Sequence, residues 1–457
     1  MRPRSIVAAL VVVAGAAIWF LPDPAGGPAG VWRAGAVVVV AIGLWATAAL
    51  PEYFTALIFL LLAVTVGGIA PDLAFSGFHA TATWLIFGGL VIGYAVDITG
   101  LGARMANTVV PRMAKGYLPI LAGIVAMAAA MGLVVPGNSG RVAILVPIVM
   151  ALADRMGFAP GSNGRTALAL AAACGTLYVG FGVLPAAVPN LIMAGAAESI
   201  YGIGFTYADY ALVHLPVLGL VTLVALPLIL FALFPDRPRA AGAATAPAPW
   251  DRGQATIAVL LAAALTLWIT DFAHGISPAW VALGVGLLCV MPRVGVAPPS
   301  ALVGKINLEL WFYVAAVVAV GSVVSQSGLG GIVAERLFAW VTFVEGADFL
   351  NLAIVSAIGM VMSLLSGVPG QPAIMTTLAS EIADATGWPL ATAVQAQVMS
   401  WTMALFPYQL PPLLLALYMA DIPPAALLRV LVAMTVTAWI AILPLTWAWW
   451  SLLGMFG

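Results

Sequence analysis

Charge is what this sequence has least of. Of its 457 residues only 7% are Asp, Glu, Lys or Arg, against roughly 25% in an ordinary soluble domain. Sixteen bases nearly balance seventeen acids. So few charges cannot cover the surface of a soluble domain of this size. A water-soluble enzyme, a nucleic-acid binder and a disordered chain are therefore excluded. Cysteine is almost absent too: Cys174 and Cys289 both lie in apolar runs, so no disulfide framework or thiolate metal site is implied. The three histidines, His79, His214 and His274, are scattered. No H-E-x-x-H and no phosphate-cradling loop occurs, which argues against ATP-driven transport in this chain.

What is present is apolar sequence, 63% by composition. A membrane helix needs roughly 20 such residues. Continuous candidates are Ser5–Leu21, Ala34–Leu50, Tyr53–Ala70, Thr81–Thr99, Tyr207–Phe234, Ala255–Thr270, Pro278–Met291, Leu308–Ser325 and Pro424–Trp450. The stretches 117–155, 165–200, 347–385 and 388–420 are apolar but interrupted by Pro, Gly or amides. The expectation is an all-α polytopic membrane protein with about 11 transmembrane segments. A cytoplasmic N-terminus (Arg2, Arg4) puts Arg104, Arg112, Lys115, Arg155, Arg165, Arg237, Arg239, Arg252, Arg293, Lys305 and Arg429 inside, leaving Arg33 and Arg336 outside. The basic start also fits a cleaved signal peptide, but its removal would reverse this bias, so a retained first helix is favoured. Trp439, Trp447, Trp449 and Trp450 read as an aromatic belt.

The chain repeats itself. Trp84, Gly93 and Gly100-Leu101-Gly102 are echoed by Trp311, Gly321 and Gly328-Leu329-Gly330. Val135-Pro136-Gly137-Asn138 is echoed by Val368-Pro369-Gly370-Gln371, and Ala153-Asp154 by Ala383-Asp384. Pro185 to Leu191 is echoed by Pro407 to Leu413. With the span count, the halves insert in opposite senses, an inverted-topology repeat typical of secondary transporters. A Pro-Gly-Asn tip between two apolar arms predicts a re-entrant hairpin, and Pro-x-x-x-Pro predicts a helix unwound at its middle. Such backbone persists at membrane depth only where it is buried or lines a watery cavity. The reading divides the chain into N-terminal scaffold helices (1–50), a first repeat (51–234), a cytoplasmic linker (235–254) and a second repeat (255–457). The first repeat holds a hairpin (117–155) and an unwound helix (165–200). The second holds a hairpin (347–385) and an unwound helix (388–420).

Pro51-Glu52-Tyr53, Phe75-Ser76-Gly77-Phe78, Gly100-Leu101, the Trp268–Trp280 stretch and Ile306-Asn307 together resemble the divalent anion:sodium symporter family (solute carrier family 13), from about residue 45 to the C-terminus. The resemblance implies a homodimeric elevator carrier with a scaffold part and a transport part, located in the inner (plasma) membrane. Its substrate would be a small dianion, with succinate, malate or 2-oxoglutarate ahead of sulfate or a sulfonate. Family hairpin tips carry Ser-Asn-Thr; here the first reads Gly137-Asn138-Ser139 and the second Gly370-Gln371-Pro372. The expectation is one sodium ion in the first half, at Asn138, Ser139 and Asn190, and a weak or absent second site. Coupling to fewer ions or to protons, or exchange without sodium, then stays open.

Asn138, Ser139, Arg141, Gln371, Tyr408 and Gln409 are the candidate substrate residues. Arg141 either forks onto a substrate carboxylate or sulfonate, or binds carbonyls at the hairpin end. Gln371, Tyr408 and Gln409 either donate to the anion or satisfy broken backbone. Asp154 and Asp384 read as anchors of the hairpin arms, Asp97 as a wetted helix end and His274 as part of an external turn. Two rivals are an arsenite-exporter-like carrier and an intramembrane serine protease, with Gly137-Asn138-Ser139-Gly140 as its motif and His214 as base.

Overall fold

The computed structural model describes residues 3–23, 29–47, 49–102, 104, 116–134, 137–238 and 249–457. Arg2, Arg112, Lys115, Val135, Pro136 and Arg239 lie outside them. The described residues form helices and irregular connections with no strand. Six helical stretches are each long and apolar enough to cross a membrane, and further apolar helices run to 10–17 residues. The protein is an all-α polytopic membrane protein.

Ahead of the repeats lie α1 (Pro3–Trp19), α2 (Val31–Thr47) and α3 (Glu52–Thr65). The first half continues with α4 (Thr81–Thr99), the hairpin arms α5 (Tyr117–Val134) and α6 (Asn138–Arg155), α7 (Asn163–Tyr178), α8 (Val188–Tyr201) and α9 (Tyr207–His214). The second half has α10 (Arg252–Ile269), α11 (Pro278–Val290), α12 (Glu309–Gln326), α13 (Asp348–Met375), α14 (Leu390–Ala396) and α15 (Pro411–Ala420).

Both halves break near the repeated Val-Pro-Gly motif, but the second break falls at Gly367, three residues before Gly370, the counterpart of Gly137, so the expected tip Gly370-Gln371-Pro372 lies in the helix that follows the break. The first hairpin turns into α6 through Gly137, at φ +84°. The second, written as one helix, is broken at Gly367, whose φ 70° and ψ 166° are non-helical. Only glycine holds that backbone region without strain. Between α7 and α8 the chain passes through short 3₁₀ turns, Val179–Gly182 and Leu184–Ala186. Between α14 and α15 it runs through a 3₁₀ stretch, Gln397–Met403, and a turn, Pro407–Gln409. The prolines explain where helix resumes. Pro189 starts α8, and Pro411 and Pro412 start α15, positions at which the missing N–H costs nothing.

Packing sorts these elements into bodies. The hairpins and unwound helices of both halves share one apolar core, with Ile124, Leu145, Phe181, Val368 and Trp401 in it. A second core joins α4, α10, α11 and α12, and a third joins α2, α3 and α12. In the second core α4 and α11 meet almost backbone to backbone. A Cβ on Gly88 would come within 2.4 Å of the Ala282 carbonyl carbon.

Candidate functional site

A cavity of about 680 Å³ lies where the broken segments meet the helices of the second and third cores. On one side stand Gly137–Gly140 at the first hairpin tip, Val188 and Pro189 at the start of α8, Val368 and Pro369 just past the second bend, and Leu410–Pro412 at the start of α15. Thus α6, α8, α15 and the second arm of α13 all begin on this cavity. No side chain caps the first turn of α6, α8 or α15. A helix N-terminus carries roughly half a positive charge, so several at one space favour an anion there; α15 does so by its dipole alone, since Pro411 and Pro412 have no N–H and Leu413 N donates to Leu410 O. No Lys, Arg or His lines the cavity among the described residues. On the opposite side stand Glu52, Asp97, Asn307, Glu309 and Tyr313.

Arg141 does not line this space. It is fully buried one turn into α6. Its Nη2 donates to Asn138 Oδ1 at 2.6 Å, Ala186 O at 2.8 Å and Thr176 O at 3.1 Å. The guanidinium thus bridges the hairpin tip, the end of α7 and the unwound loop. Charge suits that place, since the C-terminal carbonyls of α7 form a negative dipole end. Gly180 makes room: a Cβ there would lie 3.2 Å from Arg141 Nη2 and 3.4 Å from Asn138 Oδ1. Asn190 is buried on the same turn, its Nδ2 donating to Gly180 O at 3.0 Å and Val183 O at 2.8 Å. Its Oδ1 has no partner among the described residues. Ser139 is exposed on the cavity wall. Asn138 and Ser139 are thus the two expected residues that reach the cavity with their own side chains or backbone.

The second-half candidates hold the fold of their own loops. Gln371 is fully buried and donates from Nε2 to Ser400 Oγ at 2.8 Å. Ser400 in turn donates to Gln397 O. Gln397 donates to Thr376 Oγ1 at 2.9 Å and Val394 O at 2.8 Å. Gln409 Oε1 accepts from Leu405 N at 2.9 Å and Phe406 N at 2.8 Å, while its Nε2 donates to Ser363 Oγ at 2.8 Å. Tyr408 is half exposed, stacked on Phe406, with its hydroxyl donating to Leu364 O. None of the three lines the cavity. Sequence reasoning missed Gln397 and Ser400; their signal was a run of amides and a hydroxyl inside an apolar stretch.

The remaining singled-out residues fall as follows. Asp154 pairs with Arg165, anchoring the end of α6 to the start of α7. Asp97 is exposed on the cavity. His274 Nδ1 accepts from Ile276 N at 3.0 Å, closing a turn. His214 is buried between Tyr210 and Trp450, with Nε2 3.2 Å from Gln395 Oε1; it is absent from the cavity wall that carries Ser139.

Comparison with known proteins agrees with this architecture. Residues 4–456 match the family described as the sodium:sulfate symporter transmembrane region. YflS of Bacillus subtilis, named as a malate transporter, is 26% identical over 295 residues, 62% of this chain and 61% of that protein. The L-tartrate/succinate antiporter of Escherichia coli K12 is 26% identical over 273 residues, 56% of this chain and 54% of its own. The matches therefore span less than two thirds of these relatives. Among solved structures, the YdaH transporter of Alcanivorax borkumensis, reported to have an unusual topology, aligns with a TM-score of 0.55. It shares 17% identity and covers 84% of this chain and 89% of its own.

Proposed function

The chain belongs to the sodium:sulfate symporter family, and from that premise we propose that it carries small dicarboxylate dianions across the inner membrane by exchange. It is a membrane transporter and not an enzyme. The observation that carries the substrate class is the convergence of uncapped helix N-termini on a cavity without a basic side chain. Such a site meets negative charge with dipoles, and Ser139 adds a hydroxyl. The names of YflS and of the tartrate/succinate antiporter support dicarboxylates ahead of sulfate.

The coupling follows from Arg141. Sodium needs a shell of oxygens, and the expected one was Asn138, Ser139 and Asn190. One of those oxygens, Asn138 Oδ1, already accepts from a guanidinium that also holds the Thr176 and Ala186 carbonyls, which argues against a sodium ion there. A second cation beside it would be repelled. In the second half Gln371 Oε1 and Gln397 Oε1 are left without partners among the described residues, and two amide oxygens do not make a shell. The body built on the two hairpins would move the anion past the scaffold in an elevator motion. With the N-terminus inside, α3, α4 and α12 present their Glu52, Asp97 and Glu309 ends to the cytoplasm, so the cavity opens inward. The homodimer implied by the family resemblance belongs to the same reading.

Counterflow of labelled L-tartrate or succinate into proteoliposomes preloaded with dicarboxylate tests this. Exchange that is indifferent to replacing sodium by potassium is expected, with sulfate and taurine competing weakly. Uptake that requires an inward sodium gradient would overturn the coupling. Sulfate uptake without dicarboxylate uptake would overturn the substrate.

A further inference from the structure

The side of the cavity facing the helix N-termini is acidic. Glu52 opens α3, Glu309 opens α12 and Asp97 lies near the end of α4, and all three line the cavity. Acids on the wall of an anion site call for a reason, because each one opposes the ligand. No basic side chain lines the cavity among the described residues. Arg104, a few residues beyond Asp97, is spent on Pro249 O, Gln254 Oε1 and the face of Trp250. Glu52 and Glu309 lie within each other's electrostatic reach.

Tyr313 belongs to the same wall. It stands one turn past Glu309 on α12 and is only 5% exposed, yet it lines the cavity. It sits within reach of the Glu52 charge. Trp45 fixes the geometry from α2: its Nε1 donates to Glu52 O at 3.0 Å, and its ring meets Tyr313 edge to face. Glu52 is therefore mounted on a packed helix start.

We propose that Glu52, Glu309 and Asp97 form a charge filter on the scaffold side of the cavity, specificity-determining residues that admit dianions and reject trianions. A dianion gains enough from the opposing helix N-termini to tolerate the wall. A trianion adds one more charge for the wall to repel. The same repulsion drives a bound dianion off the wall, so that it travels with the hairpins or leaves. The inference rests on the dicarboxylate reading above and deepens it.

The test is competition by citrate, a trianion at about pH 8, against labelled L-tartrate counterflow. The proteins are wild type, Glu309→Gln and the double variant Glu52→Gln/Glu309→Gln. Wild type should discriminate strongly against citrate. Neutralising two carboxylates should tighten citrate competition roughly tenfold relative to unlabelled tartrate. Raising the ionic strength should narrow the same gap in wild type, a readout that needs no variant to fold. A rejection based on size would survive both changes and overturn the filter. Citrate competing as well as tartrate in wild type would overturn it too. Absence of any tartrate counterflow in wild type would instead overturn the dicarboxylate reading on which the filter rests.

Discussion

Replacing Arg141 by Met tests how the first half is held together. The side chain keeps most of its length and loses its charge and donors. Three buried acceptors, Asn138 Oδ1, Thr176 O and Ala186 O, then lose the Nη2 that now serves them. An unmet buried polar group costs about 1–3 kcal/mol, and breaking a buried charged network costs about 3–5 kcal/mol. We take the latter figure, because carbonyls near a helix end recover part of their loss by shifting. For a chain of this size the melting temperature should fall by about 3–5 °C. The assay is thermal unfolding of the detergent-purified protein in sodium chloride and in choline chloride. Wild type should melt at the same temperature in both. Arg141→Ala, which also vacates the space, should be rescued in part by sodium and not by choline, since the emptied oxygens then suit a small cation. A wild-type protein stabilised by sodium, together with a neutral Arg141→Met, would refute the reasoning.

Three further substitutions separate ligand contacts from scaffolding. Ser139→Ala removes an exposed hydroxyl from the cavity wall, so KM for dicarboxylate should rise roughly fivefold, about 1 kcal/mol, with no change in melting temperature. Gln409→Leu strands Leu405 N and Phe406 N and should cost about 2–4 kcal/mol, seen as earlier melting and faster proteolysis. Gly367→Ala forces a Cβ into a region of φ and ψ that glycine alone occupies easily. A loss of about 1–3 kcal/mol is expected, with exchange rate and melting temperature falling together.

Local grammar explains which parts of this architecture were readable. Pro-Gly and Pro-x-x-x-Pro patterns act on the residues beside them, so the repeat of such patterns pointed to broken helices before any contact was known. Gly137 and Gly367 turn the hairpins by their own backbone freedom. The destinations of side chains were not readable in the same way. Gln371 meets Ser400 across 29 residues and Gln409 meets Ser363 across 46, and nothing near either glutamine names its partner. Arg141 had two open roles because a buried guanidinium and a ligand-binding one look alike in sequence. The deciding groups, Thr176 O and Ala186 O, are backbone atoms with no signature of residue type. Of the acids on the far wall, Glu52 was part of a quoted motif and Asp97 a wetted helix end, while Glu309 had no signal, and only the fold brings the three to one cavity.

The two halves also solve one problem with different chemistry. Each must hold an unwound loop against a hairpin inside an apolar body, where every free carbonyl and amide is costly. The second half does so with neutral amides on serines: Gln371 on Ser400, and Gln409 on Ser363 and its own loop. The first half uses Asn190 on its loop carbonyls and adds a charge, Arg141. A covalently attached cation cannot dissociate, so whatever it does electrostatically for a bound dianion it does in every state of the cycle. A sodium ion in that place would make the hairpin's grip on its loop depend on the ion supply. With Arg141 there, the grip is permanent, which suits the exchange proposed above, in which the loaded body crosses in either direction without a co-ion.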